Sequence, residues 1–116
     1  AGDAEAPRNG LDALEMSQLH ADLVFLLVGL TVGLFYALRA TGASPGAHRA
    51  AHALLGIQVA QAAIGFVQYF GGLPVLVVGL HMLGTGLTAA AVTWLLVEVR
   101  EESVPAVVPA EPVLTD

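Results

Sequence analysis

Apolar residues fill three stretches of this chain, and polar ones are confined to its ends and two short links. The first stretch runs from Leu19 to Leu38, broken only by His20, Asp22 and Thr31, and Arg39 closes it. Twenty residues rising about 1.5 Å each extend about 30 Å, the thickness of a bilayer's hydrocarbon. Asp12 with Glu15 three residues on has the form of a capping box, so this helix is expected to start near Ala13 and to cover about 13–39. The cluster TGASPGAHR (41–49) reads as a loop, and a second span follows over about 50–70. Gly71-Gly72-Leu73-Pro74 reads as a tight turn with Pro74 at the first helical position, opening a third span of about 74–98. The pattern predicts an all-α integral membrane fold of three transmembrane helices. Residues 1–12 read as an extracellular loop with turn signals at Pro7 and Asn9-Gly10, and 101–116, acidic and proline-bearing, as a disordered cytoplasmic tail.

Composition sharpens this picture. The chain is 56% hydrophobic and 12% charged, too little charge to keep a soluble surface wet. Between Leu23 and Val97 only Arg39 and Arg49 carry formal charge, so the net charge of −6 belongs to the ends. Arg39 and Arg49 flank the first link and Arg100 follows the third span, while Arg8 lies alone on the other side. The positive-inside rule then predicts a multi-pass cell-membrane protein with its N-terminus outside and its C-terminus cytoplasmic. With no lysine and four arginines the chain is not built for nucleic acid. It has no cysteine, which excludes disulfides, thiolate metal sites and thioether-linked haem, and leaves histidine or carboxylate to hold any metal. The chain opens on Ala1 with an acidic stretch rather than the basic start of a secretory signal, and is expected to be a segment of a longer protein.

Polar side chains inside the apolar stretches carry the functional signal, because ionisable groups are expensive in hydrocarbon. At about 100° per residue, Gln58, Gln61, Gly65 and Gln68 fall within a sector of about 80° on the second span. Such a stripe turns away from lipid, toward interhelical hydrogen bonds or the polar edge of a bound cofactor. In three antiparallel spans His20 and His81 come to similar depth on flanking helices, each with a mostly small or apolar face around it: residues 27 and 31 beside His20, and 84 and 88 beside His81. Two readings stand: imidazoles bonded to neighbouring helices, or the axial pair of a flat macrocycle. His48 and His52 sit at the opposite, cytoplasmic start of the second span. About 27 Å of helix separates 52 from 70, so neither can share a metal with His81; an interfacial role near an anionic group, with Arg49, suits them. Gly29 and Gly33 form a GxxxG opposite His20 and suit packing against a further helix. Asp22 suits a neighbouring loop or water, and Trp94 an interfacial anchor. There is no phosphate loop, nucleophile motif or intramembrane carboxylate pair, and no catalytic residue is assigned.

The segments QLHADLVFLLVGL (18–30), HRAAHALLGIQVAQAAIGFVQYFGGLP (48–74) and VGLHMLGTGL (78–87) resemble the haem A synthase family in its actinobacterial form, and the likeness runs from Ala1 to Arg100. The resemblance implies helices six to eight of an eight-helix protein made of two related halves, hence part of a four-helix haem-binding bundle. It implies haem b as cofactor, with His20 and His81 as its axial iron ligands. The family oxidises a methyl group of haem O to the formyl group of haem A for cytochrome oxidase. The half that handles haem O, with its catalytic glutamate, is not in this sequence, so this chain alone is not expected to be an active oxidoreductase. Implied partners are the N-terminal half, the lipid bilayer, haem O synthase and cytochrome oxidase assembly proteins. The uncovered side of three helices is also open to a homo-oligomer. The rival readings are a small bis-histidine membrane cytochrome b that only passes electrons, and a non-haem structural fragment.

Overall fold

The structure is a computed structural model, and it describes residues 10–103. The expected extracellular loop, apart from 10–12, and most of the expected tail, 104–116, lie outside the described residues. Those described are all-α, with helices α1 (Ala13–Thr41), α2 (Pro45–Phe70) and α3 (Val75–Glu102) and no strand among them. Each helix is long and apolar enough to cross a membrane.

The helix ends follow from local chemistry. The Asp12 carboxylate accepts from the backbone N–H of Leu14 at 2.7 Å and of Glu15 at 3.2 Å, pairing donors that the first turn cannot satisfy itself. α1 stops at Gly42, whose φ of 69° is a left-handed conformation that glycine adopts without penalty. α2 then begins at Pro45 and not near residue 50. Ser44 is its N-cap, with Oγ accepting from Ala47 N–H at 3.1 Å, and Pro45 supplies a preset φ in the first turn. The Ser-Pro pair expected in a loop is thus a helix start, and the link shrinks to Gly42–Ser44. At the other turn Pro74 is the N-cap of α3, one position before its expected place. Leu73, immediately before it, has φ 62° with its N–H bonded to the Gln68 carbonyl at 3.0 Å. A branched side chain in the left-handed region is strained, and a following proline disfavours helical geometry there further.

α3 runs on to Glu102, past the expected end near 98, because its last turns have partners on α2. Glu102 accepts from the Ser44 backbone N–H at 2.9 Å. Glu98 lies so close over Gly46 that a Cβ there would overlap its carboxylate, and it also accepts from Trp94 Nε1 at 2.8 Å. Two carboxylates thus face the positive N-terminus of α2.

α2 is the middle of the bundle. It packs on both neighbours, whereas no Cα of α1 comes within 8 Å of one of α3. The buried core is Leu38, Ala47, Ala50, Ala51, Leu54, Ala91 and Leu95, which places it wholly at the end where α1 finishes, α2 starts and α3 finishes. Small residues there let backbones approach closely, the packing available where lipid is as apolar as the side chains. Large apolar side chains such as Phe25, Phe70 and Leu76 point outward. A surface of that kind suits hydrocarbon and not water.

Candidate functional site

His20 lies seven residues into α1 and His81 six residues past the start of α3, so both imidazoles sit about 10 Å in from the same end of the bundle. Their ring centroids are 6.1 Å apart with planes inclined at 72°. No Cα of α1 lies within 8 Å of one of α3, and the two imidazoles face each other across that separation. Two imidazoles bound trans to one metal, each by a bond of about 2 Å, have centroids about 6 Å apart once the radius of each ring is added. The observed separation fits that arrangement. His20 is exposed and His81 half-buried, which leaves an open side for a flat ligand to enter.

α2 positions His81. A Cβ placed on Gly65 would lie 3.4 Å from His81 Cε1, at van der Waals contact, so the ring edge packs beside α2 at this residue. The Gln61 carboxamide donates from Nε2 to the His81 carbonyl at 3.0 Å, which also accepts from Thr85 Oγ1 at 3.2 Å. Gly84, one of the small residues beside His81, makes room for the neighbouring helix α2: a Cβ there would overlap the Gln61 amide. The other end of the stripe turns to α1, where Gln58 Nε2 donates to Thr31 Oγ1 at 2.8 Å and Thr31 donates in turn to the Leu27 carbonyl at 2.9 Å. Gln58 and Gln61 are therefore interhelical bonds. Gln68 makes no such bond, and its Oε1 is buried with no partner, as are Oε1 of Gln58 and Gln61 and Nδ1 of His81.

The other polar residues separate from this pair. His52 and His48 lie about 20 and about 25 Å along α2 from the level of Gly65, and both pack edge-on to Phe35, with centroids 4.8 and 6.2 Å away. His52 Nδ1 donates to the His48 carbonyl at 2.7 Å. Together with Phe35 and Arg39 they line a cavity of about 320 Å³. The arginine beside these histidines is thus Arg39 of α1 and not Arg49, which points outward. Asp22 accepts from Gln18 of its own helix at 3.0 Å and bonds to no other element among the described residues. A Cβ on Gly29 or Gly33 would meet nothing within 4 Å among the described residues, so no other described helix packs closely on these glycines. Among the described residues no three histidines or carboxylates converge, so a metal bound by protein alone has no site there. A haem, whose macrocycle supplies four of six ligands, needs two.

Sequence reasoning did not find the roles of Gly65 and Gly84. The signal was present, since glycine recurs where α2 and α3 face each other. Compared with models of protein families, with curated proteins and with solved structures, the chain matches none.

Proposed function

We propose that this chain holds a haem b in the gap between α1 and α3, with His20 and His81 as axial ligands, and that it forms the C-terminal part of a haem A synthase. The observation that carries the reading is the 6.1 Å separation of two imidazoles on helices whose Cα atoms stay more than 8 Å apart. Bound by His20 and His81, a haem would supply one-electron transfer. The chain's own residues orient and shield. Gly65 and Gln61 set the depth and direction of His81, and the apolar outer surface keeps the slot within hydrocarbon. Oxidation of the haem O methyl group belongs to the N-terminal half, and this part relays electrons or supports the fold. The Gly29–Gly33 face of α1 is where a further helix of that protein packs. The N-terminus lies outside the cell membrane and the C-terminus in the cytoplasm. Haem O synthase and oxidase assembly proteins are the partners this assignment carries.

The test is a reduced-minus-oxidised spectrum of the purified chain in detergent, expressed with a haem supply. A paired low-spin b-type signal is expected, lost in both His20→Ala and His81→Ala. A colourless but helical and monodisperse wild-type chain, or full haem content in His81→Ala, overturns the proposal.

A further inference from the structure

Three amides share one face of α2, and the Oε1 of each is buried without a donor, but Gln58 and Gln61 are held by their Nε2 groups to the neighbouring helices. Gln68 bonds to neither neighbour, and its buried Oε1 lacks a donor. On the facing helix His81 Nδ1 is buried and lacks a partner. A carbonyl oxygen accepts and an imidazole N–H donates, so the two deficits are complementary. Unpaired buried polar groups are rare in native proteins, and in hydrocarbon no water is at hand to satisfy them.

Helix geometry brings these atoms toward each other. Side chains on a helix lean toward its N-terminus. Gly65 of α2 lies against His81, and Gln68 is three residues further along α2. The Gln68 side chain therefore leans back toward the level of Gly65. α3 runs antiparallel, so the His81 side chain leans toward its own N-terminus, the level of Gln68. Gln61, whose Oε1 is also without a donor, lies on the other side of Gly65, and its amide is held in the notch at Gly84.

We propose that Gln68 is the positioning residue of His81: its Oε1 accepts the Nδ1 proton, which fixes the tautomer and leaves Nε2 unprotonated and directed at the gap facing His20. Metal-binding histidines commonly have their second ring nitrogen held in this way, and the acceptor raises the basicity of the ligating one. The role as an axial ligand rests on the haem reading above. The Gln68–His81 bond itself does not need haem.

The test separates the two. In the full chain without haem, labelled with ¹⁵N-histidine, His81 is expected to show the Nδ1-protonated tautomer. Gln68→Leu should convert it to a mixture or to the Nε2-protonated form, while Gln58→Leu, whose amide bonds to Thr31 of α1, should leave it unchanged. Gln68→Glu keeps an acceptor and should retain the Nδ1 proton with its signal moved further downfield. An unchanged His81 spectrum in Gln68→Leu, or in Gln68→Glu if the leucine variant does not fold, overturns the bond. With haem supplied, Gln68→Leu should weaken haem binding about 10- to 100-fold and raise the reduction potential, since the ligand becomes a poorer donor to the oxidised iron. Wild-type affinity and potential in Gln68→Leu overturn its role toward the haem. A wild-type chain that takes up no haem while the tautomer responds as stated overturns the haem reading and leaves the bond in place.

Discussion

The two ends of this bundle are built differently. Where α2 starts, Ala47, Ala50 and Ala51 are almost fully buried and two carboxylates of α3 close over the helix N-terminus. Where α2 ends, Phe70 is 80% exposed, Val75 is 88% exposed and His20 also lies open. The packed end holds the helices in register through small residues. At the open end α1 and α3 stand apart, with two imidazoles facing across the gap. Rigidity at one end and room at the other is what the proposed haem site would require, because two side chains on separate helices must be positioned without the helices collapsing onto each other.

The contrast can be broken by substitution, and the effects should rank accordingly. Loss of either histidine should remove the whole haem signal while leaving helix content, since neither ring belongs to the packed core. Ala51→Leu at the packed end should destabilise the bundle by about 1–3 kcal/mol, because extra methylene groups have no space to enter. Unfolding in mixed micelles, followed by circular dichroism, measures this. Gln58→Leu should cost about 0.6 kcal/mol in the same assay, the typical worth of an interhelical hydrogen bond in a membrane, since Thr31 keeps its bond to Leu27. Phe66→Ala at the open end, where the ring is 56% exposed, should stay within about 0.5 kcal/mol of wild type. Equal losses for Ala51→Leu and Phe66→Ala would show that the ends do not differ as the packing suggests.

Much of this was legible in the residues. Run lengths and turn residues mark three helices, because apolar length and Gly/Pro punctuation are local properties. The similar depth of His20 and His81 follows from counting along antiparallel spans. Two boundaries were not legible. Ser44-Pro45 can stop a helix or start one, and only the bond from Ala47 to Ser44 decides between them. The last turns of α3 look like the beginning of a polar tail, and their helical state depends on contacts with residues more than fifty positions earlier. The stripe of glutamines was visible as a stripe, but which amide meets which helix depends on helix rotation, which periodicity does not specify. Gly84 taught the same lesson: a small residue announces close approach without saying what approaches.

The helix that joins the bundle together is also the least apolar of the three. Entry into a bilayer favours segments by their apolar content, and three amides weigh against α2 entering by itself. Order of synthesis offers a remedy. α1 leaves the ribosome first and carries the Thr31 hydroxyl that receives Gln58, so α2 can enter beside an existing partner. Gln61 waits for a backbone carbonyl on α3, which arrives last. Biogenesis of this protein is thus a relay in which each hairpin completes what the previous helix left open.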